Sequence, residues 1–258
     1  MRMRAIAAAA ALVLAASYSA GETADELIAK NVAARGGLEK LKAVQTMRLT
    51  GTMRAGGDTM PTILELKRPN KSRWQFTVEG EAAIQAYDGK AGWMLMPFAG
   101  MTEPQAMSSE EREEAEQQAD LDGPLIDYEK KGSSIELVGH DAAFRPQDWK
   151  LKVTLKSGEV RYVYLDPKTF LQTTTMMTKK IEGSEVVVIS TISDYKEEGG
   201  LTLPRSFSAS TKDGGETQSL VFDKIELNVP LEDERFGKPK ALDKPPTPAG
   251  PPAEPVVG

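Results

Sequence analysis

The sequence predicts a single, mainly β domain of α+β type, built as an antiparallel meander, and three observations lead there. From Thr46 to Val229 apolar residues recur at every second position, the period of a half-buried strand. Turn residues punctuate that stretch every eight to twelve residues, the spacing of hairpins. Only two long stretches read as helices, one before the strands and one in their midst. About 240 residues of mature chain fit one all-β unit of this kind. The expected division is 1–20 as an export leader, 21–238 as the domain and 239–258 as a disordered tail rich in proline.

Taken in order, Thr23 with Glu26 forms a capping box, in which hydroxyl and carboxylate satisfy backbone N–H groups at a helix start. Leu27, Ile28 and Val32 make one apolar stripe, and Gly36-Gly37 ends the helix. A short turn, Leu38 to Leu41, leads into the first strand. There Met47, Leu49, Gly51 and Met53 alternate with Arg48, Thr50, Thr52 and Arg54; later Trp74, Phe76 and Val78 alternate with Arg73, Gln75 and Thr77. Gly56-Gly57-Asp58, Pro69-Asn70, Asp88-Gly89, Ser157-Gly158, Glu182-Gly183 and Lys212-Asp213-Gly214-Gly215 are the turns. About ten or eleven strands result, enough to curl into a deep half-barrel or a barrel. Ser108 and Glu111 cap a glutamate-rich helix reaching Gln118. Leu121, Leu125, Ile126 and Tyr128 follow as an apolar cluster, with Gly123-Pro124 before a second short helix, and could press on the open side of the sheet.

Met1-Arg2-Met3-Arg4 followed by the apolar run Ala5 to Ala16 reads as a secretory leader, cut near Ser19 or Ala20. The expected compartment is the periplasm. Without any cysteine the chain has neither disulfides nor a thioether-linked lipid. Loss of Arg2 and Arg4 takes the formal charge from -6 to -8, so nucleic acid and anionic surfaces would be repelled.

Reactive constellations are sparse. His140 is the one histidine, and no G-x-S-x-G elbow occurs. A triad would have to run through His140, a reading that leaves a hydrolase as the weakest alternative. Asp120-Leu121-Asp122-Gly123 places glycine fourth where a calcium loop needs it sixth. Glu110 to Glu116 read as a solvated helix face. No catalytic residue, metal or cofactor is therefore expected. Methionines and tryptophans on the strands, among them Met47, Met53, Trp74, Trp93, Met94, Met96, Met101, Met107, Met176 and Met177, suit a surface that adapts to an apolar guest, although methionine also fills ordinary cores.

Six stretches together resemble the outer-membrane lipoprotein-sorting proteins of LolA/LolB-like fold: TADELIAKNVAARGGLEKLKAVQTMRLTGTM (23–53), ELKRPNKSRWQF (65–76), AYDGKAGWMLMPF (86–98), DLDGPLIDYEKKG (120–132), LKVTLKSGEVRYVYLD (151–166) and FDKIELNVPLEDERF (222–236). The resemblance implies a strongly curved antiparallel half-barrel of about eleven strands, helices covering its mouth, and a hydrophobic cavity for acyl chains. It also implies a monomeric carrier of lipid acyl chains or lipoproteins, with an inner-membrane transporter and an outer-membrane acceptor as candidate partners. A sensing module of the same fold, acting on a membrane partner, is the alternative. Alternation assigns the cavity lining to Met47, Leu49, Leu64, Leu66, Trp74, Phe76, Ile84, Trp93 and Leu95, and the lid to Met101, Leu121, Leu125 and Ile126. No arginine in the sequence stands out as the family's lid-latching one.

Overall fold

The computed structural model describes residues 22–241 apart from Glu182, Asp213 and Gly215. The expected leader, and the part of the expected tail beyond residue 241, lie outside the described residues. The first helix, α1 (Ala24–Ala34), starts on the Thr23/Glu26 capping box and buries Leu27, Ile28 and Asn31. Its C-terminal glycine, Gly36, has φ 111° and lies so near the Gly200 carbonyl that a Cβ would come within 2.5 Å of it. A side chain there would push α1 off the sheet. The short α2 (Leu38–Ala43) buries Leu41.

Strands β1 (Thr46–Ala55), β2 (Asp58–Lys67), β3 (Lys71–Val78), β4 (Glu81–Tyr87), β5 (Gly92–Leu95) and β6 (Gln105–Ala106) run as a meander. After helix α3 (Ser109–Ala119) come β7 (Ser134–Asp141), β8 (Arg145–Thr154), β9 (Val160–Leu165), β10 (Gln172–Ile181), β11 (Ser184–Glu198), β12 (Leu201–Thr211) and β13 (Glu216–Leu227). All belong to one antiparallel sheet of thirteen strands, ordered β6-β5-β4-β3-β2-β1-β13-β12-β11-β10-β9-β8-β7. First and last strands pair at the centre, and the edges are β6 and β7. The strand count exceeds the expected eleven. The segment after Gly123-Pro124 is a run of turns, where a second short helix was expected.

The sheet must be strongly curled. Helix α3, which belongs to the connection between the two edges, receives Ser72 Oγ of β3 on its Ala115 carbonyl and Arg161 Nη2 of β9 on its Gln117 side chain. Those strands stand seven positions apart, roughly 34 Å on a flat sheet. A helix with its side chains is only about 10–12 Å across. One helix reaches both strands because the sheet wraps around it as an open half-barrel.

Register assigns the faces. On the face beneath the helices, here the inner face, Leu49 pairs with Leu64 and Ile225, Leu64 with Trp74, and Thr62 with Phe76. One core gathers Leu41, Val44, Leu49, Leu66, Ile126, Leu201, Leu203, Phe222 and Ile225 under α2. A second gathers Leu27, Ile28 and Leu125 on Leu151, Val153, Val163 and Leu165 under α1. Within the strands of the first core β1 and β13 bulge at Gly51, where an added Cβ would fall 1.9 Å from the Val221 carbonyl oxygen. Backbone cannot yield as a side-chain tip does, so Gly51→Ala is expected to cost about 1–3 kcal/mol. Urea unfolding checks this; an unchanged midpoint would contradict the central register.

The opposite, outer face of β1–β5 is covered by the C-terminal segment. Leaving β13, it ties Thr46 Oγ1 to the Val229 carbonyl, places Asp233 2.7 Å from Lys67 and 2.9 Å from Lys71, inserts Phe236 with no exposure, and sets Lys238 over the Trp93 ring at 5.0 Å. Lys67 and Lys71 hold the Asp233 carboxylate down at about 2.

Candidate functional site

The site begins with a helical strap. Eleven residues of α3 carry only two alanines, Ala115 and Ala119, as apolar side chains. Its low apolar content excludes a central core position, as the sequence suggests, yet Ala115 and Ala119 are buried against Tyr87 of β4. On its other side the contacts are polar: Gln117 with Arg161 at 2.6 Å and with Glu159 at 3.2 Å, and Glu114 with Lys179. One flank is thus held by packing and the other by groups that water can replace.

A second closure lies at the end of the half-barrel nearest α2. Arg68 grips the Asp122 carboxylate with two nitrogens, at 3.0 and 2.7 Å. The same guanidinium donates to the carbonyls of Val44 at 2.7 Å and Leu41 at 3.1 Å. Lys42 adds 2.5 Å to Asp122 and 2.6 Å to Asp127, and Arg35 Nη1 stands 3.5 Å from the Asp122 carbonyl. Burial works to raise the pKa of Asp122, but the hydrogen bonds from Arg68 and Lys42 win, and it lies below its ordinary value. Burial likewise works to lower Lys42, and its two carboxylates raise it. Hydrogen bonds from Lys130 and Lys42 draw Asp127 down to about 2. These pairs pin the segment 120–128 over the inner face, with Leu121 and Ile126 against one core and Leu125 against the other.

Beyond that latch the inner face is less filled. Leu64, Trp74 and Phe76 on one side, and Phe207, Leu220, Met177 and Val188 on the other, are half-buried. Trp74 and Phe76 lie 5.8 Å apart, and Phe98, 48% exposed, sits 6.1 Å beyond Phe76. The result is an aromatic and aliphatic wall, partly open to water. A cleft of about 740 Å³, lined mostly by charged and polar residues, lies between α3, the β2–β3 turn, the segment 120–133 and the β8–β9 hairpin.

Register sorts the residues that alternation assigns to a cavity. Met47, Leu49, Leu64, Leu66, Trp74 and Phe76 share the inner face. Leu49 and Leu66 are core under α2, and the other four are partly exposed. Ile84, Trp93 and Leu95 lie on the outer face, since Ile84 pairs with Gln75 and Leu95, and Trp93 with Ala86. Met101 belongs to the loop between β5 and β6, with its N–H bonded to the Met96 carbonyl at 3.2 Å, and not to the lid. His140 is exposed, its ring 4.4 Å from Trp149. Asp120 and Asp122, the faint calcium loop, are occupied by Lys131 and by Arg68 with Lys42.

Solved structures share this architecture. A LolA superfamily protein, NE2245 from Nitrosomonas europaea, is 14% identical with a TM-score of 0.56, covering 84% of this chain and 98% of that one. The chain has the LolA-like fold. A DUF1329 family protein from Desulfovibrio piger matches this LolA-like half-barrel at 13% identity and TM-score 0.58, over 83% of this chain and 97% of the other. A putative outer membrane lipoprotein-sorting protein domain from Vibrio parahaemolyticus matches at 15% and 0.52, over 81% and 97%. No protein-family model matches the sequence, and no curated protein matches it either. At these identities the likeness concerns the LolA-like fold alone.

The latch pair is what reading the sequence missed. Arg68 sits in ELKRPNKSRWQF and Asp122 in DLDGPLIDYEKKG, so the signal available was one cation and one anion in two motifs of the same resemblance. Their separation by 54 residues hid the pairing.

Proposed function

We propose that this protein is a periplasmic carrier that holds lipid acyl chains, free or attached to proteins, against the inner face of its half-barrel. The observation that carries the reading is the half-buried wall of Leu64, Trp74, Phe76, Phe207 and Leu220 beside a latch made of ion pairs. An apolar surface left partly wet inside a fold is a surface awaiting a guest. Each methylene buried there is worth about 0.8 kcal/mol, so a chain of about fourteen gains on the order of 11 kcal/mol gross before the costs of association. No reactive residue is needed for that, and carriage without catalysis is the reading. Release then requires only a partner that prefers the open form or the cargo. The leader-like start of the sequence and the Vibrio domain's description as a lipoprotein-sorting protein support this reading, in which a transporter and an acceptor would be the partners.

Native mass spectrometry of gently purified full-length protein should show bound lipid. Leu66 and Leu49 are unsuited to mutational tests because both are core. Phe76→Glu instead places a charge on the open part of the wall, and is expected to weaken a fluorescent acyl probe at least tenfold with little change in melting temperature. Unchanged affinity in a folded Phe76→Glu protein would remove the wall from the binding site.

A further inference from the structure

We propose that the latch is also a head-group site, in which a phosphate or carboxylate carried by an acyl-chain ligand displaces Asp122 from Arg68 and Lys42 and so frees the lid. This rests on the acyl-carrier reading and adds to it the chemistry of the ligand's polar end. Arg35, Lys42 and Arg68 come from the end of α1, from α2 and from the end of β2, three elements fixed to the sheet. The anions they meet come from elsewhere: Asp122 and Asp127, the two carboxylates on Lys42, both ride on the lid segment.

When that segment lifts, its anions leave together and three cations stay behind. Half-buried charge without a partner is costly, by several kcal/mol for a group fully removed from water. An arriving anion cancels that cost, and a phosphate or carboxylate matches the fork of Arg68 as Asp122 does, through two oxygens. Asp122 thus occupies the place of a ligand's anion.

Access and fit agree with this. The cleft of about 740 Å³ is lined by Arg68 and Asp122 themselves, together with Arg112, Lys131, Lys156 and Arg161 and with Glu113, Glu116 and Asp120. In a chain of net charge -6, this is a wall where cations are not outnumbered. Leu121, the neighbour of Asp122, packs on the same core as Leu64, Phe207 and Leu220. A head group at Arg68 therefore has apolar wall within reach of its chains.

The test is calorimetric titration of the full chain with dihexanoyl phosphatidate, dihexanoylglycerol and glycerol phosphate. The wild type should bind the phosphatidate about tenfold tighter than the diacylglycerol. Asp122→Asn should tighten the phosphatidate by about another tenfold while leaving the diacylglycerol within about twofold. Should Asp122→Asn fail to fold, Lys42→Gln, on a residue 37% exposed, serves instead and should weaken the phosphatidate selectively. Equal affinity of the wild type for both lipids, or an equal gain for both in Asp122→Asn, ends the head-group proposal and leaves acyl carriage standing. Binding of glycerol phosphate without either lipid overturns it from the other side, because the anion would then be a free one and the wall would hold no chain.

Discussion

Arg68→Ala is expected to destabilise the protein by about 3–5 kcal/mol, the cost of breaking a buried ion pair by removing one partner. The Asp122 side chain is 6% exposed, so its charge cannot simply hydrate when the guanidinium goes. Lys42 alone would remain on it, from a side chain 37% exposed. The Val44 carbonyl loses its Arg68 donor in the same stroke, and the Leu41 carbonyl keeps only the Val44 N–H. Urea unfolding measures the loss, and hydrogen exchange should show segment 120–128 opening ahead of the sheet. A cost under about 1 kcal/mol would mean the pair behaves as a surface salt bridge and latches nothing. Acid should act on the same contact. The carboxyls of Asp122 and Asp127 lie below the ordinary aspartate value in the folded protein. Their contribution is thus complete above about pH 4 and is lost as the pH falls further, toward about 2 for Asp127. Lid opening as the pH falls from about 4 toward about 2, before global unfolding, is the corresponding observation.

Local signals in the sequence were legible and distant ones were not. Both capping boxes, Thr23 with Glu26 and Ser108 with Glu111, stand where the residues place them, because a cap is decided within four residues. The hairpins at Gly56-Gly57, Asp88-Gly89 and Ser157-Gly158 follow from turn chemistry for the same reason. The faces of β4 and β5 did not follow. Ile84, Trp93 and Leu95 are apolar although they point away from the helices, because the C-terminal segment covers that side with Phe236. A strand buried on both faces loses the alternation that reveals its inner side. Strand β6, two residues paired as Trp93 with Ala106 and Met94 with Gln105, is too short to leave any period. The antiparallel half-barrel was legible as a succession of hairpins, though its thirteen strands were undercounted; the pairing of β1 with β13, the latch and the outer cover are tertiary facts.

That outer cover has its own buried charge, and Glu65→Gln is expected to cost about 3–5 kcal/mol. Glu65 is 1% exposed on the outer face. Arg48 of β1 donates to it at 2.9 Å, Arg235 of the C-terminal segment reaches both its oxygens at 2.8 and 2.9 Å, and Arg73 of β3 stands at 3.9 Å. One carboxylate thus serves three guanidinium groups. Burial, then repulsion from Arg235, already lowers the pKa of Arg73. An amide of the same size would leave three cations facing one another with no anion at their centre, and the one free to leave is Arg235 with its segment. Phe236→Ala should cost a similar amount, about 3–5 kcal/mol, by emptying a fully buried site in the same segment. Because either change releases the same piece of chain, the double variant should lose clearly less than the two single losses added together. Hydrogen exchange over residues 229–241 should rise in both single variants, with the inner face and the latch unaffected. Additive losses would show instead that the ion cluster and the phenylalanine hold the sheet independently, and that no common cover exists.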